Sequence, residues 1–461
     1  MTPPIAPLSL DYIASSTIKA NIETDLLDLC LTIEPDKLMK EYFSRNNPEL
    51  IGITFRNTDD CFWPSADWFV PEFKSTIEKI HKLTNKPIVV GGVGFSIFAR
   101  QIFEYIDIDF GIRGDGEIAI VKLFEQLQGS RNFSEVPGLL YRQDNEIVVN
   151  PPSWPEPLSL QTERNFIDNY SYFKLAGQCG IETKRGCNRN CIYCADPNAK
   201  GTKLRLRNPS EIVDEIQALL NQKVDVLHIC DSEFNLSRNH AYEICREINK
   251  RSLGDKLKWY TYMSPAPFDS ELAKEMAKAG CAGMDFTGDS ACESMLRTYN
   301  QKHNRDDLAN AVKLCRENNI AVMIDLLLGG PGETPETVKE TIDFIKSINP
   351  DCVGATLGMR VYPDTAMEKF VIEQTAMGHT KALRRKYTGK LDLLKPTFYI
   401  SEELGENPAQ LVNDIIDGDQ RFFEPAGEDA ADYNYNDNTP LIQAIQNGAR
   451  GSFWHILHQL R

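Results

Sequence analysis

The sequence predicts an α/β protein: a doubly wound, Rossmann-like domain, then a partial (β/α)6 barrel of the TIM type, then a small, mainly helical C-terminal domain. Three observations predict it. Strand-like apolar runs alternate with amphipathic segments over residues 1–130, the alternation fades over 131–177, and it resumes over 178–366. A chain of 461 residues exceeds the size at which one hydrophobic core usually stops growing, so several domains are expected. With 42% hydrophobic and 25% charged residues, it has the means to bury those cores.

In the first unit, LSLDYIASSTIKAN has helical spacing, ETDLLDLCL reads as a strand, ELIGITF is an apolar run ending in a polar turn, and FVPEFKSTIEKIHKLTN is amphipathic. KPIVVGGVGFS then runs a strand into glycines, FARQIFEYI is helical, IDFGIRGDGE is a strand and turn, and IAIVKLFEQLQ is a helix. This order predicts a parallel sheet with its ligands at the carboxyl ends of the strands. Such domains usually open with a buried strand, whereas this one opens on a helix, which predicts a sheet one strand short or a start placed too late. Over 131–177, VNPPSWPEP and the hairpin GLLYRQDNEIVVN read as a connecting segment.

The second series begins at QCGIETKRG. Strands VDVLHICD, KLKWYTYMS, AGMDFTG, IAVMIDLLLGG and CVGATLGMRVY follow, separated by helices such as SEIVDEIQALLNQ and ETPETVKETIDFIKSI. In a barrel, residues just after each strand converge on one face. The tail from 367 to 461 is less regular. Its stretch GEDAADYNYNDNTP and last helix GSFWHILHQL are expected to cap the barrel mouth, with DYNYNDN and Trp454 forming an exposed polar loop beside a packed Trp more readily than offering aromatic and amide surface to a pocket.

A formal net charge of -16 argues against a nucleic-acid partner and against an anionic membrane, since both need a basic surface. A small molecule or a peptide is easier to accommodate. No apolar run reaches about 18 residues, and MTPPIAPLSLDY lacks the order of a signal peptide, so a cytoplasmic protein is expected. Disulfides are then a poor reading of the twelve cysteines. Most stand singly in apolar segments and read as buried hydrophobes.

Cys187, Cys191 and Cys194 in KRGCNRNCIYCADP differ. Structural zinc needs a fourth ligand at a suitable spacing, and a redox pair would leave Cys187 unexplained. Three thiolates suit a four-iron four-sulfur (4Fe-4S) cluster that keeps one iron open.

This spacing, placed after the first barrel strand, resembles the cluster motif of the radical S-adenosylmethionine (SAM) superfamily. The resemblance implies that the open iron chelates SAM and that Tyr193 packs near the adenine. Asp231 and Glu233 in CDSEFN resemble the acidic motif that receives the SAM ammonium group. GDSACESMLRTYNQKH resembles a ribose-contacting segment through Asp289 and Ser290, which fit an ordinary helix cap equally well. LLLGGPGETPET resembles the superfamily's glycine-rich segment, Gly329 and Gly330 letting backbone approach the adenine, though a strand-to-helix turn needs glycine too. MRVYPDT, with Arg360 toward SAM, resembles a signature of members that carry a cobalamin domain.

The first unit resembles that domain. Thr54, Arg56 and Asn57 in GITFRNTDD, Gly91, Gly92 and Gly94 in PIVVGGVGFS, and Gly114 and Glu117 in GIRGDGEIAI are the implied cobalamin contacts. The Asp-x-His-x-x-Gly motif that gives cobalt a histidine in other cobalamin proteins is absent. Arg56 is placed either under the corrin or in a surface ion pair with Asp59 or Asp60.

Taken together, the resemblance to class B (cobalamin-dependent) radical SAM enzymes implies three cofactors: a 4Fe-4S cluster, SAM and cobalamin. It implies methyl transfer from SAM through methylcobalamin to a substrate carbon, with an electron donor such as flavodoxin or ferredoxin. A radical cyclisation, rearrangement or oxidation is the alternative within the family, and a non-catalytic cobalamin sensor the alternative outside it. A methylthiotransferase acting on RNA is disfavoured by the missing second cysteine triad and the charge. No pair of histidine and carboxylate stands out as a general base; Tyr260, Tyr262 and Tyr362 near strand ends are candidate proton or hydrogen relays.

Overall fold

The computed structural model describes residues 2–160, 162–427 and 434–461. The first part of GEDAADYNYNDNTP, residues 428–433, lies outside the described residues. Near the N terminus, β1 (Ile51–Thr54), β2 (Ile88–Gly91) and β3 (Phe110–Ile112) pair in parallel, and β4 (Leu139–Gln143) and β5 (Glu146–Val149) continue the same sheet antiparallel, in the order β1-β2-β3-β4-β5. The hairpin expected in the connecting segment therefore belongs to this sheet.

Alternate residues of β2 point to opposite sides. Ile88 and Val90 pack with Phe95 and Phe103, whereas Val89 packs with Ala119, Leu123 and Leu139. Both faces are covered by helix, which is why the strand reads as an unbroken apolar run.

ETDLLDLCL is not a strand. Its alternation is real but serves two cores, since Leu27 and Leu29 pack on the first domain and Leu26 and Leu31 on the barrel. With both faces used between domains, no neighbouring strand pairs with it. A helix over Pro35–Arg45, not anticipated from the sequence, follows.

The second sheet begins with β6 (Cys179–Ile181). A short antiparallel pair, β7 (Lys184–Arg185) with β8 (Arg205–Leu206), precedes β9 (Val226–Ile229), β10 (Lys258–Met263), β11 (Cys281–Asp289), β12 (Ala321–Leu328) and β13 (Cys352–Leu357). β6 and β9 to β13 lie side by side in chain order, all parallel, as expected of a partial barrel with six strands. Helices such as Pro209–Asn221 and Pro335–Ile348 return the chain between strands. Asn304 and Thr334 close capping boxes at the starts of two of them, satisfying N–H groups that the first helical turn leaves unpaired.

The C-terminal region contributes more strand than expected. β14 (Met359–Arg360), β15 (Leu383–Arg385) and β16 (Thr397–Tyr399) form a small antiparallel sheet, and β17 (Phe422–Phe423) adds a seventh parallel strand beside β13. Trp454 is buried in the barrel core, 3.0 Å from where a Cβ on Gly283 would stand, so it packs against the early part of β11 and lines no pocket. Tyr260, expected as a relay, bonds His455 at 2.9 Å in the same layer.

Buried ion pairs set the two sheets against each other. Arg164 donates to Asp11 (2.9 Å), to Glu215 (2.8 Å) and to the Gly180 carbonyl (3.0 Å), joining the first helix, the connecting segment, β6 and the helix behind it. Arg207 donates to the other oxygen of Glu215 at 2.7 Å. Asp115 and Glu117, just after β3, accept from Arg205 and Arg185. Among the described residues, no helix is long and apolar enough to cross a membrane.

Candidate cluster and cofactor site

The cluster loop leaves β7 at Arg185 and turns through Gly186. Cys187 N–H donates to the Gly201 carbonyl and Cys194 N–H to the Cys191 carbonyl, folding the segment so that the three thiols sense one another's charge. Among the described residues, no three His, Cys, Asp or Glu side chains converge as ligands of a single ion would. A cluster spreads its thiolates over separate corners and makes no such demand.

Burial pushes the Cys191 thiol up to about 12, and Asp289 and Glu233 push the same way. Burial likewise raises Cys187 and Cys194. Three thiolates cannot persist here without a strong local cation, which iron provides on binding. The donor set therefore fits a cluster.

Lys184 was not anticipated. It is 1% exposed, its Nζ makes no hydrogen bond among the described residues, and its field reaches Cys187, Glu233 and Asp196. An unpaired buried ammonium is costly, so Lys184→Met should raise the melting temperature of the cluster-free protein. In the cluster-bound form the same change should lower the cluster's midpoint potential by tens of millivolts, read by redox titration.

The acidic residues divide. Asp231 is engaged in structure: its carboxylate accepts from Thr183 N–H, Thr183 Oγ1 and Lys184 N–H, bracing the turn from β6 to β7. Glu233 accepts from Thr287 through one oxygen, while the other, buried, has no partner. Burial raises its pKa, as expected of a carboxyl awaiting a cation.

Tyr193 donates to Asp289 at 2.6 Å, and Gln301 donates to Tyr193 (3.2 Å), to Cys191 Sγ (3.5 Å) and to Asp289. Burial pushes Asp289 up to about 7. Gln301, which no motif had marked, thus ties the cluster loop to the end of β11. Ser290 is fully buried, bonded to Thr341 at 2.8 Å and to Cys292 N–H at 3.1 Å; it locks this turn and is closed to a ribose.

The glycine-rich segment closes on itself. Glu333 accepts from the N–H groups of Gly329 and Gly330 and from Tyr299 (3.2 Å), and burial lifts its pKa to about 7. Any Cβ on Gly330 would lie 2.3 Å from the Tyr299 ring, and Gly329 has φ +91°. Glu333 and Tyr299 were missed; a glutamate three residues beyond a glycine pair was the available signal.

Arg360 corrects the expectation most clearly. Its guanidinium donates to Asp59 (2.9 and 3.1 Å) and to the carbonyls of Val361 and Leu393 (3.0 Å for the latter), fastening the first domain to the barrel's last strand. Each of its three nitrogens thereby holds a structural bond.

In the first domain, Gly92 has φ +103° and its Cβ would stand 2.6 Å from the Phe55 carbonyl; a Cβ on Gly94 would stand 2.7 Å from that of Arg56. Both let the loop after β2 press onto the loop after β1, holding Arg56 and Asn57 in place. Gly91 carries no such constraint, its nearest contact being 3.7 Å away. Thr54 Oγ1 lies 3.4 Å from Ser9 Oγ. Gly114 has φ +88° and is packed against Trp154. Glu117 is committed to Arg185 at 2.8 and 3.0 Å, a bond between domains that takes the place of its expected cobalamin contact.

Arg56 is exposed and makes no hydrogen bond or ion pair among the described residues. Asp59 is held by Arg360 and Asp60 accepts from Ser65 and the N–H groups of Phe62 and Asp67, so neither offers the surface pair considered from the sequence. Its charge instead reaches across to the barrel: burial, then Arg56, lowers His228 to about 4, and the same charge is felt at Cys230 and Tyr262. Arg56 thus lies within electrostatic reach of the ends of β9 and β10.

Comparison with known proteins now bears on this arrangement. Residues 181–345 match the Radical SAM superfamily and residues 2–124 the B12 binding domain. The chain is 31% identical over 436 residues to the tryptophan 2-C-methyltransferase of Streptomyces laurentii, covering 81% of this chain and 73% of that protein. It belongs to the cobalamin-dependent radical SAM enzymes. A solved member of this family, the methyltransferase TsrM of Kitasatospora setae with tryptophan and a SAM analog bound, superposes with a TM-score of 0.92 at 29% identity, covering 99% of this chain and 95% of that one. The anaerobic magnesium-protoporphyrin IX monomethyl ester cyclase of Cereibacter sphaeroides shares 30% identity over 276 residues, 57% of this chain and 45% of its own. Within the family, cyclases thus align over a shorter part of the chain than the tryptophan methyltransferase.

Proposed function

We propose that this enzyme moves a methyl group from SAM, by way of cobalamin, to a carbon of a small aromatic substrate. The observation that carries the reading is the position of Arg56, an unpaired cation of the cobalamin-type domain within electrostatic reach of His228, Cys230 and Tyr262 of the barrel. A corrin seated between the sheets would lie on the same side as the cysteine loop. When bound, cobalamin supplies a methyl carrier and the cluster a one-electron reductant for SAM.

The chain's own residues do the placing. Cys187, Cys191 and Cys194 hold the cluster. Glu233, with its free buried oxygen, receives a cationic group at the cluster's edge, and Tyr193, fixed by Asp289 and Gln301, walls the SAM site. Arg56 would lie beside the corrin, where its guanidinium would supply positive charge and no ligand to the metal. Gly92 and Gly94 permit the close loop packing that aims it. Electrons come from a low-potential donor of the flavodoxin or ferredoxin type.

Incubating anaerobically reconstituted enzyme with methyl-labelled SAM and tryptophan should give a product heavier by one labelled methyl. Deoxyadenosine release with no methylated product from tryptophan or its analogues counts against the reading. Arg56→Ala should weaken cobalamin retention on gel filtration and shift the visible spectrum of the bound corrin, as expected if a water reaches cobalt.

A further inference from the structure

Asp285 on β11 and Asp325 on β12 lie outside the machinery assigned above. They stand on adjacent paired strands inside the barrel, close enough that each carboxyl shifts the titration of the other. Asp285 is 5% exposed and its Oδ1 has no partner among the described residues. Among the described residues, no lysine, arginine or histidine forms an ion pair with either. Two neighbouring buried carboxyls hold one proton between them, leaving a single negative charge. Burial raises both, Asp325 to about 6; the Asp325 charge raises Asp285 further, while the bond to Asp285 lowers Asp325.

A buried charge without a counter-ion is a standing cost unless a ligand brings the missing cation. A cavity of about 100 Å³ opens beside Asp325, walled by Trp63 from the first domain and by Phe423 and Tyr435 from the C-terminal region. Tyr262 and Tyr435 are within electrostatic reach of the pair, which pushes both phenols further toward the neutral form. Gly354 forms part of the wall, where any Cβ would stand 2.2 Å from Asp325 Oδ1. The site therefore combines one unmatched negative charge, an acceptor oxygen without a donor, and a wall of aromatic rings. Aromatic faces attract cations, and the carboxylate selects a donor over an anion.

We propose that the Asp285–Asp325 pair is the subsite for the protonated amine of an aromatic amine substrate, with the ring against Trp63, Phe423 and Tyr435. This rests on the methyl-transfer reading for there being such a substrate. Three probes that share an indole separate the possibilities: tryptamine carries the amine alone, indole-3-propionate the carboxylate alone, and tryptophan both.

Calorimetric titration of the cofactor-loaded enzyme should show tryptamine and tryptophan binding at least about tenfold tighter than indole-3-propionate, the scale of one charge-assisted hydrogen bond. Asp325→Asn should lose a similar factor for tryptamine and little for indole-3-propionate. Gly354→Ala, which displaces the carboxyl without deleting it, should weaken tryptamine as well, and serves in place of Asp325→Asn should that variant fail to retain cobalamin. Equal binding of indole-3-propionate and tryptamine, failure of both amines to bind, or unchanged tryptamine affinity in the variants overturns the proposal. Amine binding without any methylated product sinks the methyl-transfer reading and leaves this one standing. Methylation of a substrate with no amine does the reverse.

Discussion

Cys194→Ala, reconstituted with iron and sulfide, should show no cluster absorbance and no turnover of SAM, and the same holds for Cys187→Ala and Cys191→Ala. Each removes one of three thiolates, and a cluster held by two has lost a ligand and the geometry that leaves one corner vacant. The loss should be complete, because no other thiol substitutes: among the described residues the other cysteines are dispersed through separate elements. The cluster-free protein should lose little stability, because each change removes one sulfur from a loop whose apolar anchors, Ile192 and Tyr193, stay in place. Retained cobalamin binding by the first domain would show that the variant is folded, and iron and sulfide analysis reads the loss directly.

Glu215→Ala should destabilise the fold by about 3–5 kcal/mol, the scale of breaking a buried ion pair from one side. Glu215 accepts from Arg164 and Arg207 through its two oxygens, and all three side chains are almost wholly buried. Removing the carboxylate leaves two guanidinium groups competing for Asp11, Asn169 and backbone carbonyls. Urea unfolding followed by circular dichroism checks the size of the effect. A triple change of Arg164, Arg207 and Glu215 to apolar residues should cost much less than the single one, because no charge is then left uncompensated. The network spans the first helix, the connecting segment and the barrel, so its loss should also loosen cobalamin.

Much of the site was legible because its chemistry is local. Three cysteines within one short loop announce a cluster whatever surrounds them, and six repeats of strand and helix announce a barrel. What failed was partner choice. Arg360, Asp231, Ser290 and Glu117 are all polar residues at strand ends, where a ligand contact and a structural bond look alike in sequence. The fold decides between them by what lies opposite: Asp59 for Arg360, Thr183 for Asp231, Thr341 for Ser290, Arg185 for Glu117.

The converse also holds. Arg56 is left unpaired because Asp59 and Asp60 are engaged elsewhere, a fact about bonds to residues as distant as Arg360. ETDLLDLCL shows the same limit for the backbone, since its alternating leucines bury against two cores in place of one sheet. Gln301, Glu333 and Lys184 lie inside quoted motifs without standing out in them, yet Gln301 and Lys184 act on the cluster loop and Glu333 holds the glycine-rich segment. Their roles follow from which polar atoms burial leaves paired or unpaired, and that is set by contacts far apart in the chain.

The most direct test of the central claim, that one chain passes a methyl group between its two halves, is a single-turnover label experiment. Enzyme loaded with methyl-labelled methylcobalamin is mixed with substrate, reductant and unlabelled SAM, and the first product is weighed by mass spectrometry. The account predicts that the first equivalent of product carries the label and later equivalents do not. An unlabelled first product would contradict it.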